Sequence, residues 1–281
     1  MFTHFKSYSI KIKDKLYPID RPHVMGILNT TNDSFFDGGK YHTIDEALHR
    51  VDTMLKEGAD MIDVGGQSSR PGAEMIGLEE EIQRTVPFIE AIHKRFPDNI
   101  ISIDTFQSEV ARKSVWAGAS IINDISAGED DDKMLKTVAE LQVPYIAMHK
   151  QGKPVNMQLN PQYVDVSGEI YDYLKQKTEL YQSMGISDVI LDPGFGFGKT
   201  VEHNYKLMKD LSVFHRLNCP ILVGVSRKSM ICKLLRVDPK DALNGSTVLH
   251  TVALLQGAHI LRVHDVKEAV EAVKICGQLS L

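Results

Sequence analysis

Eight short runs of apolar, largely β-branched residues punctuate the chain: HVMGILN (23–29), MIDVGG (61–66), IISID (100–104), SIINDI (120–125), YIAMH (145–149), VILDPG (189–194), ILVGVS (221–226) and HILRVH (259–264). They are near-continuous rather than alternating, the pattern of parallel strands buried on both faces. Longer segments of helical period lie between them. In TIDEALHRVDTMLKEGA (43–59), Ala47, Val51, Met54 and Leu55 share one face and Gly58 ends the helix. VSGEIYDYLKQKTELYQSMG (166–185) repeats that pattern. Eight β-α units in series predict an α/β fold, the (β/α)8 TIM barrel. Ahead of them, SYSIKI-KDK-LYPID (7–20) reads as a β-hairpin, so residues 1–22 form an N-terminal extension covering the bottom of the barrel. No Pro-, Gly- or Ser-rich linker and no low-complexity tract interrupts the series, which predicts a single domain over 1–281.

The polar residues in these runs sit at the ends where such barrels carry their active sites. Asn29, Asp63, Asp104, Asn123, His149 and Asp192 close six runs; Ser226-Arg227-Lys228 follows the seventh, and Arg262 and His264 end the eighth. One such residue is as readily a helix cap. A polar group at nearly every strand end describes a site.

Bulk properties narrow its use. The chain has 281 residues, close to the ~250 typical of one α/β barrel, with 43% hydrophobic and 25% charged residues. A net charge of −5 and a pI near 6.1 argue against coating nucleic acid. No apolar run approaches the ~20 residues of a spanning helix, and the N-terminus lacks a signal-like stretch, which predicts a cytoplasmic protein without membrane contact. Cys219, Cys232 and Cys276 are far apart and out of any metal-ligand pattern; they read as buried free thiols of a reducing compartment.

The segment LDPGFGFGKT (191–200) mimics a nucleotide loop and fails its spacing. A G-x-x-x-x-G-K-[ST] loop needs glycine at 193, where Pro193 has no N–H to give, and a G-x-G-x-x-G loop needs glycine at Lys199. Lys199 then reads as a surface lysine. The rim instead divides by charge. Asp104, Asn123 and Asp192 can bind the amino-imino edge of a flat nitrogen heterocycle. Arg70 in QSSRPGAE (67–74), Arg262 and His264 suit an anion, and Lys228 opens the helix KSMICKLL. A planar, nitrogen-rich substrate bearing phosphate or diphosphate fits these residue types; so does an aldolase-like Schiff base on Lys228.

Longer motifs carry a resemblance. MGILNTTNDSFFDGG (25–39), ADMIDVGGQSSRPGAE (59–74), SIDTF (102–106), NDISAG (123–128), LDPGFGFGKT, GVSRKSMI (224–231) and GAHILRVHDVKEAVEA (257–272) resemble, in order, those of the dihydropteroate synthase family. The resemblance implies condensation of 6-hydroxymethyl-7,8-dihydropterin diphosphate with p-aminobenzoate in folate biosynthesis, an SN1-like path, and sulfonamides as inhibitors. It implies that Asp104, Asn123, Asp192 and Lys228 hold the pterin, with Met148 on its ring. Asn29, Arg70, Arg262 and His264 then take the diphosphate, Asn29 through Mg²⁺. Phe35, Ser69, Arg70, Pro71, Phe197, Lys228 and Ser229 shape the p-aminobenzoate pocket, and Gly196 and Phe197 wall off the two substrates. Asp104, Lys228, Arg262, His264 and Arg70 are the expected catalytic set; Asp63, Asp124 and His149 read as structural or are left out of it. The resemblance further implies a homodimer through the last helices, for instance STVLHTVALLQGA (246–258). Departures fall at Asn32, Phe36 and Gln67, where Pro, a small polar residue and Glu are common; they bear on loop closure and sulfonamide sensitivity. Rival readings are a pterin-binding methyltransferase domain acting on methyltetrahydrofolate, and a catalytically silent pterin-binding module.

Overall fold

The computed structural model describes residues 5–30, 43–67, 75–152, 157 and 160–279. The predicted hairpin is present: β1 (Tyr8–Ile12) pairs antiparallel with β2 (Lys15–Ile19), from Tyr8 opposite Ile19 to Ile12 opposite Lys15. Eight strands then form one parallel sheet: β3 (His23–Asn29), β4 (Met61–Gly65), β5 (Ile100–Asp104), β6 (Ile121–Asp124), β7 (Tyr145–Met148), β8 (Val189–Asp192), β9 (Leu222–Val223) and β10 (Ile260–Val263). Their order is β8-β7-β6-β5-β4-β3-β10-β9. A parallel bridge between Leu191 and Ile221, with Leu191 N–H donating to the Pro220 carbonyl at 2.9 Å, joins β8 to β9 and closes the ring.

Helices α1 (Ile44–Glu57), α2 (Leu78–Arg95), α3 (Ser108–Ala117), α4 (Met134–Leu141), α5 (Val166–Ser183), α6 (Val201–Lys209), α7 (Ser229–Leu235), α8 (Leu243–Leu255) and α9 (Val266–Leu279) lie between and after the strands. The start of α1 shows how local chemistry sets a boundary. The Thr43 side chain accepts from Glu46 N–H while Glu46 answers to Thr43 N–H, a reciprocal cap, and Gly58 ends the helix at φ 103°.

Alternation along each strand assigns the side chains to two cores. One parity, including Val24, Ile62, Ile101, Ile122, Val223 and Leu261, packs with the helices. The other, Met25, Met61, Ile100, Ile121, Ile146, Ile190, Leu222 and Ile260, fills the barrel interior together with Ile10, Ile12 and Ile19 of the hairpin. The hairpin is therefore a plug that completes the lowest interior layer. Two residues further along the inward parity come Ile27, Asp63, Ser102, Asn123, Met148, Asp192, Gly224 and Arg262, and two further again Asn29, Gly65, Asp104 and His264. The strand period alone thus delivers the polar rim to the open end.

β8 and β9 end before their apolar runs do, for local reasons. β8 stops at Asp192 because Pro193 has no N–H for a ladder and Gly194 turns to φ 75°. β9 holds only two residues, and the chain passes Gly224 into a turn in which Arg227 sits at φ 55°.

Ile19 is fully buried in the interior layer, so Ile19→Ala should cost about 2–5 kcal/mol of unfolding free energy. Denaturant titration of the variant measures it. A change under about 0.5 kcal/mol would mean that the plug adds nothing to the barrel.

Candidate active site

At the centre of the open end lies one guanidinium with two carboxylates. Arg262 Nε donates to Asp63 Oδ2 at 2.6 Å, and Arg262 Nη2 donates to Asp104 Oδ2 at 2.6 Å. Asn123 Nδ2 also donates to Asp63 Oδ2, at 3.1 Å. Asp63 is fully buried, and its other oxygen, Oδ1, has no hydrogen-bond partner among the described residues. Gly65 makes room above it: a Cβ there would lie 3.5 Å from Asp104 Cβ and 3.8 Å from Asn29 Oδ1, so Asn29 and Asp104 flank the same gap.

One cation between two carboxylates leaves an excess negative charge, and burial makes that charge costly. Burial raises the Asp104 carboxyl to about 7 from 3.8. Arg262 opposes the rise, while Asp63, Glu81 and Asp124 add to it. Arg262 itself is held more firmly protonated by the same two aspartates, against the cost of its own burial.

A second group forms across the mouth. Asp192, 5% exposed, accepts from Gly194 N–H at 2.7 Å; burial raises its pKa, with Lys228 the strongest opposing influence. Lys228 Nζ donates to the Phe195 carbonyl at 2.6 Å and stands 4.6 Å from the centre of the Phe197 ring, a cation–π distance. Burial lowers its pKa to about 8, with Asp192 pulling the other way. Gly224 lies between the two cations: a Cβ on it would stand 3.8 Å from Lys228 Nζ and 3.9 Å from Arg262 Cβ, ordinary contact distances. Gly196, at φ 84°, would likewise press a Cβ to 3.2 Å from Lys228 Cδ. His264 packs its Nδ1 at 3.2 Å from Ser226 Oγ, and its N–H donates to the same oxygen. Met148, Phe197, Phe106, Ile125 and Met157 form an apolar cluster beside these charges.

Of the residues expected from sequence, the structure brings together Asp104, Asn123, Met148, Asp192, Gly196, Phe197, Lys228, Arg262 and His264, with Asn29 beside Asp104. Ser229 is exposed in the first turn of α7. Phe35, Ser69, Arg70 and Pro71 lie outside the described residues, as do Asn32 and Phe36. Asp124 is structural, as read: it accepts from Ser126 N–H, Ser126 Oγ, Gly128 N–H and Tyr145 OH. Arg227, inside the Ser-Arg-Lys motif, turns away to pair with both oxygens of Asp265 at 2.8 Å and to donate to the carbonyls of Pro239 and Lys240.

One reading needs correction. Lys199 is not a surface lysine: it is 3% exposed, beneath the glycine-rich loop, because its amino group meets the carbonyls of Gly194 and Phe197. Asp63, left out of the expected catalytic set, is buried and pairs with Arg262. The signal for Asp63 was its place two residues after the interior Met61, the parity of the residues that line the barrel.

Comparison with known proteins accords with this geometry. Residues 25–264 match the model of the pterin binding enzyme family, and the chain belongs to that family. Dihydropteroate synthases are among its relatives. That of Escherichia coli K12 is 48% identical over 92% of this chain and 91% of its own length, and that of Synechocystis is 44% identical over 92% and 90%. Among solved structures, a Yersinia pestis dihydropteroate synthase with a sulfonamide drug complex superposes with a TM-score of 0.93 at 42% identity, covering 97% of this chain and 99% of that one. A Xanthomonas albilineans dihydropteroate synthase with 4-aminobenzoic acid gives 0.90 at 38% identity over 98% and 99%.

The raised Asp104 carboxyl has a consequence for stability. Its folded pKa of about 7 exceeds the ordinary 3.8, so the folded state binds the extra proton between those values. The associated stability is fully present below pH 4 and is lost as pH rises through 7. Asp104→Asn should remove that dependence. Unfolding free energies of both proteins at pH 5, 6, 7 and 8 check it, and parallel curves would show that Asp104 is already ionised at pH 5.

Proposed function

We propose that this chain is a dihydropteroate synthase, condensing 6-hydroxymethyl-7,8-dihydropterin diphosphate with p-aminobenzoate to 7,8-dihydropteroate and diphosphate. One observation carries the reading. Carboxylates and an amide able to grip a heterocycle edge (Asp104, Asn123, Asp192) share a rim with cations able to grip a diphosphate (Arg262, His264, Lys228), and Arg262 already bonds to Asp104. The 4-aminobenzoic acid in the Xanthomonas relative and the sulfonamide in the Yersinia relative support p-aminobenzoate and its mimics as ligands here.

The chemistry separates charge. The bond from the pterin methylene carbon to the diphosphate oxygen breaks, its electron pair leaves on that oxygen, and positive charge spreads into the dihydropterin ring. Arg262 and His264 offset the departing charge, while Asp104 and Asp192 favour the cationic ring. The amine nitrogen of p-aminobenzoate then forms the new C–N bond and gives up a proton to diphosphate or water. That amine is a neutral nucleophile, and positioning against Phe197, Lys228 and Ser229 matters more than a strong base. Bound pterin also reorganises the centre: as its edge takes Asp104, the second arm of Arg262 becomes available to the diphosphate.

Mg²⁺ fits this donor set as a partner of the diphosphate. Asn29 Oδ1, beside the Asp104 carboxylate, is a hard oxygen of the kind the ion accepts alongside phosphate oxygens and water. When bound, the ion would neutralise charge on the leaving group. Arg70, Ser69, Pro71 and Phe35 complete the expected pocket by resemblance alone.

The same reading includes a cytoplasmic homodimer. Among the described residues no helix is long and apolar enough to cross a membrane. The last helices expose a run of apolar side chains: Val248 at 53%, Leu255 at 48%, Ile275 at 63% and Leu279 at 73%. Ile275→Asp should convert the protein to monomer in sedimentation velocity at micromolar concentration; wild-type protein that sediments as a monomer overturns the dimer.

Release of diphosphate together with dihydropteroate, in the presence of both substrates and Mg²⁺, tests the function. Arg262→Ala should lower kcat roughly a hundredfold or more, since it removes a preorganised donor from the leaving group. Pterin binding without either product would instead favour the silent module.

A further inference from the structure

The loop from Gly194 to Gly198 is irregular backbone laid across the mouth of the barrel, and it carries three groups of the site. Gly194 N–H caps Asp192, the Phe195 carbonyl holds Lys228, and the Phe197 ring lies against the Lys228 ammonium. No sheet or helix ladder fixes this segment. Its glycines adopt φ 75°, 84° and 63°, conformations that side chains rarely take. A Cβ on Gly194 would sit 1.8 Å from the His149 carbonyl oxygen, and one on Gly198 would sit 2.2 Å from that of Gln151, so the loop is pressed onto the chain that follows β7.

Beneath it is a buried amino group that the reaction does not use. Lys199 Nζ stands 2.8 Å from the Gly194 carbonyl oxygen, 3.0 Å from that of Phe197 and 3.1 Å from His149 Nδ1, with the His149 carbonyl at 3.5 Å. Burial lowers the Lys199 pKa to about 7, with Asp192 opposing the fall, and in its ammonium form the group has three N–H donors and no acceptor. The three nearest acceptors are two loop carbonyls and an imidazole nitrogen. Burial keeps His149 neutral, its pKa lowered to about 2, so Nδ1 can accept. From the other side Asn204 on α6 accepts from Gly196 N–H at 2.7 Å and donates to the Thr200 carbonyl at 2.6 Å. Lys199 ties the two ends of the turn, and Asn204 ties its middle.

We infer that Lys199 is a positioning residue, which sets the glycine loop at the height where Phe197 and Lys228 form the p-aminobenzoate side of the site. Its ammonium makes no contact with substrate. It acts by holding the two carbonyls that flank Phe195 and Gly196. This rests on the synthase reading above and adds to it a determinant chiefly of the second substrate: the loop itself carries Phe197, whereas for the pterin it touches Asp192 and Lys228 but neither Asp104 nor Asn123, which lie on other strands.

Steady-state kinetics of Lys199→Met, an apolar side chain of similar length, test the inference. Loss of charge-assisted bonds to the loop should raise KM for p-aminobenzoate roughly tenfold or more. KM for the pterin diphosphate and kcat at saturation should stay within about threefold of wild type, inside the range of a lost weak contact. Lys199→Gln, which keeps two N–H donors on a shorter neutral side chain, should recover part of the aminobenzoate KM; it also serves alone if the methionine variant does not fold. A fall in thermal stability with both KM values unchanged overturns the inference and leaves Lys199 a structural lysine. A rise confined to the pterin KM, or equal rises for both substrates, overturns it as well. Wild-type protein that forms no dihydropteroate overturns the synthase reading itself, a result distinct from any of these.

Discussion

The described residues at the open end of this barrel gather around a cation that two carboxylates share. Arg262 reaches Asp63 with one edge and Asp104 with the other, in a space closed below by an apolar layer and a hairpin. A buried guanidinium without partners would be costly, and so would either aspartate. Asp63, fully buried, holds the arginine from within the barrel, and Asp104, two residues further along the inward parity of its own strand, holds it from the mouth. The guanidinium is thus fixed between two layers of the barrel interior.

Much of this arrangement was legible from the chain. The strands showed themselves because parallel strands buried on both faces need apolar residues at consecutive positions, and the polar residues that ended those runs were too many to be caps. Asp63 was harder to see. It lies inside an apolar run, where a carboxylate reads as an exception; only the two-residue step from Met61 shows that it faces the barrel axis. Lys199 could not be read at all from residue type, since lysine is almost always at the surface. The acceptors that keep it inside are carbonyls of its own loop and a histidine some fifty positions earlier in the chain, and a local pattern does not reveal such a set. Arg227 errs in the opposite direction: it sits between two residues of the site and is committed to Asp265.

Glycine works here through the freedom of its backbone. At Gly194, Gly196 and Gly198 that freedom makes a turn with φ values that side chains rarely take. The turn places a wall beside the charges, and the likeness of the loop to a phosphate cradle is incidental to it.

The plug at the bottom of the barrel bears on the order of assembly as well as on packing. Ile10, Ile12 and Ile19 share one interior layer with a residue from each of the eight strands, Ile260 of the last among them. The layer therefore joins the two ends of the chain, and it is complete only when the hairpin and β10 are both in place.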